Sequence, residues 1–257
     1  MMINSSVFPY HFKSKANAVI DLVCFPSAGG NAAMYNKWND ITPDWLNICP
    51  VEYPGHGSRL KEALVNDPEI IIDEITNGII NKCDKKIAVF GHSVGSIIAL
   101  QVVKQLQKQN NDNPLELIIL SGRPETSMLS RRPKGYHLLP KEEFLKVISV
   151  YEGIPEELIN NPEILDFFLP ILRNDFQLND KLSDVPPISI DIPVMAFYGE
   201  RDSEIINHDA INKWATYTTE WLGSYTFPGG HFYLNQPVVR KMLLDTIVTR
   251  LKNILEV

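Results

Sequence analysis

Gly91-His92-Ser93-Val94-Gly95 lies between an apolar run, Lys86 to Phe90, and a helical pattern, Ser96 to Gln109, and no other stretch restricts the fold as much. A sharp strand-to-helix turn of the form G-x-S-x-G pushes its middle side chain out of the sheet, and the flanking glycines leave room for crowded backbone. The helix start also brings free N–H groups and the positive end of the helix dipole beside Ser93 Oγ. Such a turn requires a buried strand feeding a helix that packs back on the sheet.

The rest of the chain supplies that sheet. Short apolar runs at Ala18–Phe25, Ile48–Tyr53, Lys86–Phe90, Leu115–Leu120, Pro193–Tyr198 and Leu222–Phe227 read as strands. Helical patterns fall at Met34–Trp45, Asp67–Cys83, Ser96–Gln109 and Pro237–Leu255. Strands alternating with helices imply βαβ units and a mostly parallel sheet flanked by helices. The segment 122–190 breaks the rhythm: it holds no convincing strand and reads as loop plus two or three short helices punctuated by Pro140, Pro155 and Pro162. A single α/β domain over 1–257, with 122–190 as a helical lid insertion, fits this pattern better than two domains in series.

Composition narrows the function. The chain has 257 residues, 44% hydrophobic and 21% charged, with a net charge of −7. That acidic balance argues against nucleic acid as a partner. Three cysteines, Cys24, Cys49 and Cys83, lack metal-binding or disulfide spacing, so no metal is expected. The sequence has no signal-peptide pattern and no apolar run of roughly 18 residues, so a cytoplasmic, membrane-free location is expected.

A serine hydroxyl needs a base within hydrogen-bond reach and an acid to orient that base. In the α/β-hydrolase arrangement these follow in the chain order Ser, Asp/Glu, His, after late strands. Tyr198-Gly199-Glu200-Arg201-Asp202 and Pro228-Gly229-Gly230-His231 stand at those places. His231 is the expected base. Asp202 is preferred over Glu200 because a residue a few positions past the strand can curl back to the histidine loop. His11, His56, His92, His137 and His208 fit the base role poorly. The oxyanion donors are expected to be the backbone N–H groups of Val94 and Ala28, with Ser27 the alternative to Ala28. Gly29-Gly30 is not a phosphate loop, since the lysine of that motif is missing.

Phe25-Pro26-Ser27-Ala28-Gly29-Gly30, Tyr53-Pro54-Gly55-His56-Gly57-Ser58-Arg59, the serine turn and Phe227-Pro228-Gly229-Gly230-His231-Phe232 together resemble the type II thioesterases that accompany nonribosomal peptide and polyketide synthases. The insertion resembles that family's lid segment through Ser121-Gly122-Arg123, Arg131-Arg132, His137-Leu138-Leu139-Pro140 and Leu169-Pro170-Ile171-Leu172-Arg173-Asn174-Asp175-Phe176. Two departures stand out: Ser27 where the family commonly carries an aromatic residue, and His56 where it often carries arginine. The resemblance implies hydrolysis of acyl groups from the phosphopantetheine arm of acyl or peptidyl carrier protein domains. The chain itself would need no cofactor and is expected to act as a monomer.

Carrier proteins are generally acidic, so a local basic patch is needed for docking. Arg123, Arg131, Arg132, Lys134 and Lys141 cluster in the insertion and could form it. The insertion's apolar residues, including Phe144, Leu145, Ile148, Phe167, Phe168 and Phe176, are expected to pack against one another or the main domain. Two alternatives remain: a carboxylesterase or lipase using the same triad, and a catalytically idle hydrolase fold that serves as a binding protein.

Overall fold

The computed structural model describes residues 7–9, 15–109, 115–125, 127, 134–150, 161–183, 189–205 and 207–256. Six strands, β1 (Ile20–Phe25), β2 (Leu46–Pro50), β3 (Lys86–His92), β4 (Leu115–Ser121), β5 (Val194–Gly199) and β6 (Trp221–Phe227), form one sheet in the order β2-β1-β3-β4-β5-β6. Every pairing within it is parallel. The strand C-termini therefore share one edge, where ligand sites of open α/β sheets form.

Both faces of the sheet are covered, which explains why its strands are apolar throughout rather than alternating. On one face α1 (Pro68–Lys82) and α2 (Val94–Lys108) bury Ile71, Ile75, Ile79, Ile97, Val102 and Leu106 against Val23, Val89 and Ile118. On the other, the C-terminal helix buries Val239, Leu243, Ile247 and Leu251 with Trp38 and Tyr35 against Leu22, Phe90 and Phe197. Asp67 caps α1 by accepting from the Glu69 N–H, and Pro68 occupies the first turn, where its missing donor costs nothing.

The helix expected over Met34–Trp45 is instead a 3₁₀ turn, Ala32–Tyr35, followed by turns. Thr42 Oγ1 bonds the carbonyls of Trp38 and Asn39, and Pro43 lacks a donor; both divert the backbone from helical bonding.

Between β4 and β5 the chain forms a 3₁₀ turn (Tyr136–Leu138), α3 (Lys141–Ser149) and α4 (Pro162–Leu182). The last is 21 residues long, not one of the short helices expected. Pro162 marks its start, with Asn161 as the cap, and Pro170 lies inside it without ending it. Near its start Leu165 and Leu169 pack with Phe144 and Ile148 of α3, joined by Leu145 and Phe176. Near its end Leu178 and Leu182 enter the core of the main body. Phe167 touches Phe168 edge-on, as expected of these residues, but is otherwise exposed. Among the described residues the chain also forms α5 (His208–Asn212) and α6 (Pro237–Leu255), the C-terminal helix described above.

Candidate active site

Ser93 follows the last residue of β3 and caps α2 with φ 56° and ψ −121°. A non-glycine residue held at positive φ costs on the order of 1–3 kcal/mol and persists only where its surroundings enforce it. Those surroundings are backbone. A Cβ at Gly95 would stand 2.3 Å from the Phe25 carbonyl oxygen, and one at Gly91 would stand 2.4 Å from the Gly95 carbonyl oxygen. The Ser93 N–H donates to the Ser121 carbonyl at 2.8 Å, and Ser96 Oγ ties the same carbonyl to Gly91. Glycine at both positions is thus a steric requirement of the turn.

Asp202 and His231 follow β5 and β6 at the same sheet edge. His231 Nδ1 lies 3.0 Å from each oxygen of Asp202. A carboxylate only accepts, so Nδ1 carries the proton, and in the neutral ring Nε2 keeps a lone pair. Asp202 also receives the Glu204 N–H at 2.9 Å, and its own N–H bonds the Gly199 carbonyl, which curls the segment back from the strand. Both members of the pair are almost fully buried, at 4% and 3% exposure. Glu200, the alternative acid, is exposed.

His92 links the serine turn to this pair. Its ring centroid is 5.0 Å from that of His231, and its Nδ1 lies 2.9 Å from Ser121 Oγ, which in turn lies 2.6 Å from the Tyr233 hydroxyl. Burial pushes the His92 pKa well below its ordinary value, and the charge of His231 pushes the same way.

The N–H of Val94 opens α2, where no carbonyl stands a turn behind it. Neither that N–H nor the Ala28 N–H has an acceptor among the described residues. The loop holding Ala28 is pinned on both sides by buried carboxylates. Asp175 Oδ2 of α4 accepts the Gly29 N–H at 2.7 Å, and Glu52 Oε1 accepts the Ala32 N–H at 3.0 Å. Ser27 is buried, with its hydroxyl 3.8 Å from Met34 Sδ. Reasoning from sequence assigns Asp175 and Glu52 no role of their own, because their partners are 146 and 20 residues away.

The other histidines are accounted for elsewhere. His56 pairs with Asp175, His137 with Asp180 of α4, and exposed His208 with the Tyr198 hydroxyl, while His11 falls outside the described residues. The basic cluster requires a correction. Arg123 is buried and points inward, donating to Asn179 Oδ1 at 2.7 Å and to Ser183 Oγ, so it braces α4 from beneath and offers no docking charge. Lys141 is bound to Asp166, Lys134 is exposed, and Arg131 and Arg132 lie outside the described residues. All three cysteines are free and buried. No group of side chains suited to a metal and no helix long and apolar enough to cross a membrane occurs among the described residues.

Comparison with known proteins places this geometry in context. The thioesterase-domain family model matches residues 21–251. The chain is 27% identical to the gramicidin S biosynthesis protein GrsT of Aneurinibacillus migulanus, over 84% of each chain. It is 30% identical to the medium-chain S-acyl fatty acid synthase thioesterase of Homo sapiens, over 95% of this chain and 92% of that one. Among solved structures, the type II thioesterase BorB from the borrelidin biosynthetic cluster superposes with a TM-score of 0.82 at 25% identity, covering 96% of this chain and 98% of the other.

Proposed function

Since the chain belongs to the thioesterase family, we propose that it is a type II, editing thioesterase, which removes acyl groups from the phosphopantetheine thiol of carrier proteins in nonribosomal peptide or polyketide synthesis. The observation that carries the chemistry is the buried Asp202–His231 pair at the sheet edge where β3 ends in a serine held at positive φ.

Ser93 Oγ attacks the thioester carbonyl carbon while His231 Nε2 takes its proton. Negative charge grows on the carbonyl oxygen and is met by the N–H groups of Val94 and Ala28. Collapse breaks the C–S bond, and His231 returns the proton to the departing thiolate. Water, deprotonated by the same imidazole, then attacks the acyl-serine, and a second collapse, with the proton passed from His231 to Ser93 Oγ, releases the free acid and Ser93. Asp202 holds the imidazole in the tautomer this needs and stabilises the imidazolium formed in each half-reaction. The segment 122–190 acts as a lid, and Arg131 and Arg132 supply its docking charge for acidic carriers. Arg131→Glu with Arg132→Glu is expected to lower turnover of carrier-bound substrate and spare small thioesters; equal loss on both removes this docking role.

The 30% identity to a medium-chain S-acyl fatty acid synthase thioesterase favours a second substrate class, medium-chain acyl groups. One panel decides between them. Carrier proteins loaded with short acyl, aminoacyl and medium-chain acyl groups are offered to wild type and Ser93→Ala, beside a p-nitrophenyl ester. Cleavage of short and aminoacyl carriers supports editing; cleavage of medium chains alone supports the second class. Ester cleavage without any carrier substrate supports a carboxylesterase.

A further inference from the structure

Asp175 and His56 meet where α4 of the insertion lies on the oxyanion loop. His56 Nε2 is 2.9 Å from Asp175 Oδ2, and His56 Nδ1 is 3.0 Å from the Pro54 carbonyl oxygen. Both partners can only accept, so both ring nitrogens carry protons and the ring is an imidazolium. The Asp175 carboxylate collects three donors: His56 Nε2, the Gly29 N–H at 2.7 Å and Asn174 Nδ2 at 3.2 Å. His56 and Asp175 are each 3% exposed, so this is a buried ion pair with its hydrogen bonds satisfied. Leu172, one turn earlier on α4, lies where a Cβ on Gly29 would be, at 2.6 Å, so helix and loop are in full contact.

We propose that Asp175 and His56 are positioning residues for the oxyanion hole: the buried ion pair holds the Gly29 amide, and with it aims the adjacent Ala28 N–H at the reacting carbonyl. The inference rests on the oxyanion role proposed above for Ala28. It makes the insertion helix a structural part of the reaction centre and not only a cover over it. It also gives the centre an alkaline limit set by a histidine that takes no part in the proton transfers.

The groups around His56 support a cation there. Asp175 faces it from α4, while Glu52 and Tyr53 face it from the segment after β2, with the Tyr53 ring 5.8 Å away and edge-on. The nearby cation Arg59 is taken up by Glu62 and Glu74. Burial pushes the His56 pKa down, but the charge and hydrogen bond of Asp175, the Pro54 carbonyl and Glu52 outweigh it, so it sits above the ordinary 6.5. A raised folded-state value means the clamp is complete below pH 6.5 and is lost as pH rises through the raised value.

The test compares wild type, Asp175→Asn, His56→Gln and His56→Arg. A p-nitrophenyl ester and an acyl-carrier serve as substrates, and hydrogen exchange at the Gly29 amide is followed alongside. Asp175→Asn keeps an acceptor but loses the charge. It is expected to lower kcat on both substrates by about 10- to 100-fold with little change in KM, and to speed Gly29 exchange. His56→Gln should do the same at neutral pH. Wild-type kcat should fall on the alkaline side, and His56→Arg, a permanent cation, should move that fall to higher pH. Wild-type kcat or unchanged Gly29 exchange in Asp175→Asn overturns the proposal. Should that variant not fold, His56→Gln with normal Gly29 exchange, or an alkaline fall unmoved in His56→Arg, overturns it instead. Failure of the editing reading would look different: wild type would cleave the ester but no acyl-carrier.

Discussion

The rings of His92 and His231 stand 5.0 Å apart, tilted by 40°, yet only one of them belongs to the proposed proton relay. Neutrality of His92 is what permits the arrangement, since two imidazoliums at that distance in a buried site would repel. Burial, and then His231, keep the His92 pKa well below 6.5. The unfolded chain takes up a proton there as pH falls below 6.5 and the folded chain does not, so stability is complete above that value and declines beneath it. The slope from this one proton reaches about 1.4 kcal/mol per pH unit. Urea melts of wild type and His92→Phe between neutral and mildly acidic pH check this. The wild type should lose stability more steeply on acidification.

Asp202→Asn keeps the shape of the pair but presents an amide to His231 Nδ1. With an amide N–H donating in its place, the ring is fixed in the tautomer that leaves Nε2 protonated and unable to act as base. We expect kcat to fall by about 10⁴-fold with the fold intact. Steady-state kinetics beside a circular dichroism melt measures both; retention of full activity would remove Asp202 from the relay.

Gly95→Ala should be more damaging to the fold than most alanine substitutions in a helix. Its Cβ would meet two backbone oxygens, of Phe25 at 2.3 Å and Pro26 at 2.5 Å, and neither can swing aside as a side chain could. The cost should reach or exceed about 3 kcal/mol, the upper range for overpacking. Thermal denaturation of soluble protein is the measurement, and a melting temperature equal to wild type would refute the steric account.

The three cysteines should be inert in the native protein. Burial raises the thiol pKa of Cys24 and Cys49 well above 9.0, and that of Cys83 to about 12, with Asp21 adding to the shift for Cys49 and Cys83. Thiolate is the reactive form, so a disulfide reagent at mildly alkaline pH should modify none of them until denaturant is added. Rapid reaction in buffer alone would contradict this.

Features written into short stretches of sequence are legible from the residues alone. Ser93, Asp202 and His231 each follow a strand that reads plainly as apolar, and the parallel sheet brings those three strand ends to one edge. What depends on distant partners is not legible in this way. Arg123 reads as a surface charge because its acceptors, Asn179 and Ser183, lie more than fifty residues on. The length of α4 is not legible either: the burial of Leu169, Ile171 and Leu178 sustains the helix through Pro170. Over 34–45 the reverse holds: a helical apolar spacing gives way to turns because Tyr35 and Trp38 are drawn into the core and Thr42 bonds the backbone.

The division of α4 into two contact zones has a consequence for redesign. One zone, Asp175 with Asn174, Asn179 and Leu182, is committed to the body through Gly29, the Val65 carbonyl, Arg123 and the apolar core. The other, Leu165 and Leu169, packs in the small cluster around Phe144. Segments grafted from related enzymes to change acyl preference should therefore be cut so that the first zone stays native while the second is exchanged together with α3 as one block. Chimeras joined anywhere between Leu172 and Leu182 would sever a seam that the rest of the enzyme depends on.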